Sequence, residues 1–342
     1  MAAKKSFRLS VLDLSPVASG STSTEALRRT IDLAQLAERL GYTRYWLAEH
    51  HNSPLIASSS PEVMIGHVAG VTRAMRVGSG GVMLPNHAPL RVAEAFRVLE
   101  ALHPGRVDLG IGRAPGTDAL TALALRRSRE ALGADDFPQR LDELLAFLNG
   151  GFPKDHPLES VRAMPDDVPS PEVWLLGSSD FSAQLAASLG LRFAFAHHIS
   201  PWPAVTSLRL YREAFQASPQ LSKPESMLAV SVICAETDAR AEELAKPHDL
   251  VWLRFRKGQL SRFPSPVEAD AHSYTEAERD IIRAQRTRTF VGSPDTVREH
   301  ILELATQAVA DEIMITTMTY DHADRRRSYE LLAEAFALAP RA

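Results

Sequence analysis

The sequence predicts a closed (β/α)8 TIM barrel, with insertions after strands 4 and 7, spanning residues 1–342 as a single domain. Two observations predict it. Strand-like apolar runs and helix-like amphipathic runs alternate eight times, and the strands are apolar enough to be buried on both faces, which parallel strands joined by helical crossovers require. Eight such units suffice to close a sheet on itself, so no second domain is needed to explain the length.

The first unit is the strand FRLSVLDLS (7–15) and a helix over 24–41, where Leu27, Ile31, Ala34, Leu36 and Leu40 fall near helical spacing, Thr24 caps and Gly41 stops. YTRYWLAEH (42–50) is the second strand, and the helix over 60–75 has Ser60 as cap and Pro61 in its first turn. RVGSGGVMLP (76–85) is the third strand, LRVAEAFRVLEALHPG (90–105) its helix and RVDLGIGR (106–113) the fourth strand. The first insertion holds helical stretches at 117–132 and 137–149 and the Pro-rich connector FPKDHPLESVRAMPDDVPSPE. VWLLGSS (173–179), FAFAHHI (193–199) and MLAVSVICAE (227–236) are strands five to seven, each followed by a helix. A long basic and polar stretch, residues 251–280, forms the second insertion, and its run from Arg254 to Arg262 reads as a solvated surface loop. The helix SPDTVREHILELATQA, the strand DEIMITTMTY (311–320) and a helix over 324–339 complete the pattern.

An open doubly wound sheet is the rival architecture, because GIGRAPG (110–116) looks like a dinucleotide loop. Its GxGxxxG spacing lacks the third glycine of that fingerprint, and Pro115 stands where the helix should begin. Composition excludes other classes. A net charge of −4 and a pI near 6.3 leave no basic footprint for nucleic acid. Cys234 is the only cysteine, so there is no internal disulfide or cysteine-rich metal cluster, and the cytoplasm is the expected compartment. No apolar run approaches the ~18 residues of a membrane span, and no export signal is expected.

In this fold the chemistry belongs at the carboxyl ends of the strands. Polar residues gather there: Glu49, His50 and His51; Arg113; Gly177, Ser178 and Ser179; His197 and His198. Gly177–Ser179 ahead of a helix suits a phosphate, since free backbone N–H groups, hydroxyls and the positive helix end converge, although an ordinary serine cap explains the same residues. Arg113, ending the neighbouring strand, is the natural partner of such an anion. GSGG (78–81) inside an apolar strand implies either close approach to the backbone, as by a flat ring, or a bulge at a barrel corner. The two histidine pairs raise the class of metal-dependent hydrolases. Neighbouring strand residues face opposite ways, so each pair offers one ligand to the mouth, and no carboxylate-rich set completes a metal site.

Together, EHH, VGSGGVMLPNHAPLRVAEA, HPGRVDLGIGR and the LGSS helix start resemble the bacterial luciferase-like monooxygenases, more the single-gene luciferase-like oxidoreductases than the light-emitting subunits. The resemblance runs across essentially the whole chain and implies reduced FMN, oxygen activation as a peroxyflavin and a small organic substrate such as an aldehyde. It assigns His50 as the catalytic histidine, Gly80 and Gly81 as a pair joined by a non-prolyl cis peptide beneath the flavin, and Arg113 as the phosphate grip helped by Gly177, Ser178 and Ser179. The luminescent members carry Glu-Ser where this chain has Gly177-Ser178. A deazaflavin coenzyme used for hydride transfer is the alternative within the fold, and a non-catalytic flavin-binding member is the other. No nicotinamide fingerprint is evident, so a separate flavin reductase is the expected partner. The family also implies a homodimer through the second and third helices.

Overall fold

Eight of the expected strands pair in parallel around a closed ring in the computed structural model, which describes residues 7–114, 116–128 and 136–341. The barrel strands are β1 (Arg8–Asp13), β2 (Arg44–Leu47), β3 (Arg76–Ser79) continued by the short β4 (Val82–Met83), β5 (Val107–Gly112), β6 (Glu172–Gly177), β7 (Arg192–Ala196), β8 (Ser226–Cys234) and β10 (Glu312–Thr316). They pair in that order, and β10 closes the ring by pairing with both β1 and β8. The strand expected over 76–85 is therefore two strands with Gly80 and Gly81 between them.

Helices cover the barrel: α1 (Ser23–Leu40), α2 (Pro61–Val71), α3 (Pro89–Leu102), α4 (Ala119–Arg126), α5 (Phe137–Leu148), α6 (Asp180–Ser188), α7 (Ala204–Ala214), α8 (Asp238–Arg256), α9 (Pro266–Ala271), α10 (Glu276–Arg286), α11 (Pro294–Gln307) and α12 (His322–Ala335). Thr22, not Thr24, caps α1, accepting from the Glu25 backbone N–H at 3.1 Å. Pro115 and residues 129–132 of the helix expected over 117–132 lie outside the described residues.

Two sequence readings are corrected. The loop expected from Arg254 to Arg262 starts later, because α8 runs on to Arg256, and the rest of the stretch is largely helical, since Ser265 with Glu268 and Thr275 with Glu278 form capping boxes that start α9 and α10. A short strand, β9 (Thr289–Gly292), extends the sheet by pairing with the carboxyl half of β8. Its four residues are only partly apolar, too short and mixed for periodicity to reveal.

Side-chain alternation divides the strands between two environments. Outward residues such as Leu9, Tyr45 and Val77 join the large core between sheet and helices. Inward residues fill the barrel in layers. At the amino end, Arg44 binds Asp108 at 2.9 Å, Glu312 at 3.0 Å and Glu172 at 3.1 Å, an ion network deep enough to need all of its partners. Above it pack Leu12, Trp46, Trp174, Met227 and Met314, with the two indole rings edge to face at 5.5 Å. These layers fill the barrel below its mouth, and in this fold the candidate site belongs at the carboxyl ends of the strands.

Tight strand approach sets a constraint on this wall. A Cβ added at Gly110 would overlap the carbonyl oxygen of Ser79. Gly110→Ala is expected to destabilise the protein by about 1–3 kcal/mol through overpacking, read as a lower Tm with unchanged far-UV circular dichroism.

Candidate active site

Four neighbouring strand ends carry the residues assigned to catalysis and cofactor binding from sequence. In order around the mouth stand His50 after β2, Gly80 and Gly81 between β3 and β4, Arg113 after β5, and Gly177, Ser178 and Ser179 at the end of β6. Their order follows from the register. Leu47 lies opposite Ser79, Met83 opposite Gly112, and Gly177 opposite Phe195, so Gly80 and Arg113 come one residue after these pairs, Ser178 and Ser179 one and two residues after, and His50 three residues after.

His50 lies just past β2, where the alternation of Arg44, Trp46 and Ala48 carries its side chain inward. Its backbone N–H donates to Ser58 O at 2.9 Å, and the Ser58 hydroxyl in turn donates to Ala48 O at 2.6 Å, pinning the turn. Its Nδ1 is shielded from solvent and has no hydrogen-bond partner. Burial pushes the imidazole down to about 4, only partly countered by the charge of Glu49, so the ring is neutral over the ordinary pH range.

Glu49 and His51 face the other way. The Glu49 carboxylate is 1% exposed. Its Oε1 accepts from His51 Nε2 and His87 Nε2, each at 2.8 Å, and its Oε2 accepts from the Met83 backbone N–H at 2.9 Å. Burial opposes its ionisation, but the hydrogen bond and charge of His87, with His51 and the Met83 amide, hold it below the usual carboxylate range. Burial would likewise lower His87, and Glu49 overrides this and raises it. The carboxylate thus ties the end of β2 to β4 behind the wall that His50 faces. Sequence reading placed Glu49 and His51 at the strand end beside His50 without a role and missed His87, whose position in LPNHAP gave no periodic signal.

The Gly80–Gly81 peptide is cis. A Cβ at Gly80 would stand 2.5 Å from Leu12 Cδ1, and one at Gly81 would stand 2.8 Å from Gly110 O. The glycines are needed first by the protein's own packing, since they let the third strand lie hard against Leu12 and β5. This resolves one open point: the GSGG run is explained by close approach within the wall, and it leaves a wall without projecting side chains between His50 and Arg113.

Arg113 lies over the Phe181 ring at 4.6 Å, in the first turn of α6, and forms no ion pair among the described residues. Ser178 and Ser179 are half-buried at that helix start, and Ser179 makes no side-chain capping bond. A side chain at Gly177 would run into Ser182. An unpaired guanidinium, two hydroxyl-bearing residues and the open N–H groups of a helix end therefore converge, which is the chemistry of an anion cradle.

The second histidine pair splits as the first does, although the strand stops at Ala196 and both residues lie in a turn. His197 stacks on Phe290 at 5.6 Å, whereas His198 Nδ1 meets Ala229 O at 3.2 Å and is near enough to His50 to help lower it. His198, named with His197 at a strand end in the sequence but given no role there, stands beside His50. Among the described residues, no group of three or more His, Cys, Asp or Glu side chains is placed to hold a metal ion. No helix among them is long and apolar enough to cross a membrane.

The family profile described as Luciferase-like monooxygenase matches residues 7–312. A luciferase-like monooxygenase of Escherichia coli K12 is 42% identical over 327 residues, 96% of each chain. The N-acetyl-S-alkylcysteine monooxygenase of Bacillus subtilis 168 is 37% identical over 340 residues, 98% of this chain and 99% of its own. The crystal structure of apo-MsnO8 superposes with a TM-score of 0.90 at 39% identity, covering 99% of this chain and all of that one (100%). Two remoter structures share the fold: the oxygenating constituent of 3,6-diketocamphane monooxygenase in complex with FMN, at 20% identity and TM-score 0.69, and an F420-dependent secondary alcohol dehydrogenase, at 13% and 0.63. Full-length likeness of this extent, joined to the closed parallel barrel, establishes that the chain belongs to the luciferase-like monooxygenase family.

Proposed function

We propose that this protein is a flavin-dependent monooxygenase that uses reduced FMN and O2 to oxidise a small organic substrate such as an aldehyde or a thioether. The observation that carries the proposal is the arc from His50 through Gly80 and Gly81 to Arg113 and Ser178–Ser179. It has an anion cradle at one end, a wall without side chains in the middle and a neutral buried imidazole with an unsatisfied nitrogen at the other. The residues fit FMN: Arg113, Ser178, Ser179 and the α6 N-terminus would hold the phosphate, Gly80 and Gly81 would flank the ring, and His50 would stand by the reacting edge. When bound, reduced flavin supplies the electrons that activate O2.

The chain's own contribution is to bind, orient and transfer protons. His50 Nδ1 has no protein partner, so this atom is free to accept or return a proton beside the substrate. A neutral imidazole is the form that burial maintains, and it can accept a proton without first losing one. Glu49 keeps His51 and His87 out of that role by engaging both on the far side of the wall.

Anaerobic titration with reduced FMN and, separately, reduced F420 tests the cofactor. Saturable binding of reduced FMN, followed on adding oxygen and substrate by incorporation of one 18O atom into product, is expected. Tight binding of reduced F420 with none of FMN would replace the reading by deazaflavin-dependent hydride transfer, and binding of either without turnover would leave a flavin-binding protein. The absence of a nicotinamide fingerprint in the sequence supports supply of reduced FMN by a separate flavin reductase.

A homodimer is part of the same proposal. Val63, Val71, Val98 and Leu102, respectively 67%, 38%, 47% and 66% exposed, place apolar surface on the outer faces of α2 and α3. Light scattering is expected to give twice the 37.5 kDa chain mass, and Leu102→Glu is expected to shift it to the single-chain mass with circular dichroism unchanged. A wild-type protein of single-chain mass would reject the dimer.

A further inference from the structure

Outside the barrel, α3 packs against α5, and the connector from Asn149 to Val168 leads from the end of α5 toward β6. Barrel helices run back against the direction of their strands, so the carboxyl end of α5 lies at the amino end of the strands, opposite the mouth. Arg97, on α3, is 6% exposed. Its Nη1 donates to Pro165 O and Val168 O, each at 3.1 Å, and its Nη2 to Leu148 O at 3.0 Å and Phe147 O at 3.3 Å. The guanidinium thus caps the last carbonyls of α5, at the negative end of the helix, and fastens the connector to them. Capping accounts for the Nη bonds and leaves the rest unanswered. The Arg97 Nε is shielded from solvent and has no partner, and among the described residues no carboxylate pairs with this guanidinium. A buried cation held only by carbonyls lacks a counter-charge.

A second arginine reaches the same turn. Arg162 Nη1 donates to Glu159 O at 2.6 Å, and it lies so close over Gly151 that a Cβ there would stand 2.7 Å from it. Gly151 also has φ +105°, so only glycine suits both the turn and the approach of the guanidinium. Arg162 forms no ion pair among the described residues, and only its Nη1 is engaged within them. Arg97 and Arg162 line one cleft of about 200 Å3, together with Phe147, Val161 and Ala163. At roughly 30 Å3 for each water, that space holds a solute several times the size of a water molecule. Asp166 lines it too, is exposed, and pairs with neither arginine. Two guanidiniums against one carboxylate leave one positive charge in excess.

We propose that this cleft binds a small oxyanion, the phosphate or carboxylate group of a solute, at the end of the barrel opposite the mouth. Arg162 supplies the free N–H donors and Arg97 the buried positive charge, a division that charge-assisted recognition of an oxyanion allows. An anion held there joins α3, α5 and the connector and stabilises the folded chain by mass action. The cleft is separate from the cradle at Arg113 and does not depend on the flavin reading.

The test is calorimetric titration of the Arg113→Ala protein, which lacks the guanidinium at the mouth, with sodium phosphate and separately with sodium acetate, at an ionic strength held constant with sodium chloride. Saturable binding of a single anion per chain is expected. Binding of phosphate alone assigns the cleft to phosphate groups, binding of acetate alone to carboxylates, and binding of both to either; each supports the proposal. Adding Arg162→Ala is expected to weaken binding by about tenfold or more, the worth of a charge-assisted hydrogen bond. Asp166→Asn, which removes the carboxylate from the lining, is expected to strengthen it by up to about fivefold. Both side chains are exposed, so neither change takes packing from the core. Heats no larger than those of sodium chloride for both anions, binding unaltered by Arg162→Ala, or binding weakened by Asp166→Asn would overturn the proposal.

Discussion

Replacing His50 with alanine is expected to lower kcat by about 10²–10⁴-fold, the usual worth of a positioned proton-transfer group, while leaving affinity for reduced FMN nearly unchanged. The separation follows from where the residue stands. His50 shares the mouth with the anion cradle but lies three strand ends away from Ser178 and Ser179 along the rim, and it belongs to no ion network that orders them. The pH profile carries a second check. Because burial lowers the folded-state pKa to about 4, the imidazole stays unprotonated as pH falls from neutrality and takes up a proton only near pH 4. Activity limited by His50 should therefore be flat through pH 6.5, where a solvated histidine would titrate, and should fall only toward pH 4. Turnover of His50→Ala equal to wild type, or an acid limb centred on 6.5 that vanishes in His50→Gln, would contradict this description of the site.

Arg113→Ala should produce the opposite split, a loss of about 10- to 150-fold in reduced-FMN affinity with turnover at saturating FMN retained, measured by fluorescence titration and steady-state kinetics. The magnitude is that of a charge-assisted hydrogen bond worth roughly 1.5–3 kcal/mol. Among the described residues Arg113 has no carboxylate partner to release, so its removal strands no charge among them and the effect reports on the ligand. Arg113→Lys should recover part of the affinity, since an ammonium keeps the charge but cannot reproduce the planar two-point grip. Equal FMN binding by Arg113→Ala and wild type would move the phosphate away from the α6 N-terminus.

The candidate site was legible in sequence where chemistry and strand position coincide. His50, Arg113 and Gly177–Ser179 stand at strand ends, and once eight strands are counted the barrel rule places them all at one mouth. Gly80 and Gly81 were visible as glycines where glycine is costly, yet their purpose was not. Only the approach of Leu12 and of the Gly110 carbonyl shows what a side chain there would strike. Glu49 illustrates the limit more sharply. Its neighbours in sequence are His50 and His51, but its partners also include His87 and the Met83 amide, joined to it only because β4 lies beside the end of β2. His198 was read as half of a histidine pair, and its nearness to His50 follows from where β7 stands on the ring.

What the sequence by itself determined is local and periodic: eight strands and their helices, and the parity that lets only one of His50 and His51 face the mouth. These follow from two repeat lengths and the preferences of single residues, which need no long-range information. The tertiary structure alone decided contacts between residues distant in the chain: Phe263 bonded to Val17, Glu49 bonded to His87, and Lys257 paired with Glu278 of a separate capped helix. Such contacts depend on how the closed sheet sets its loops side by side, and no pattern within one segment records the distance to another.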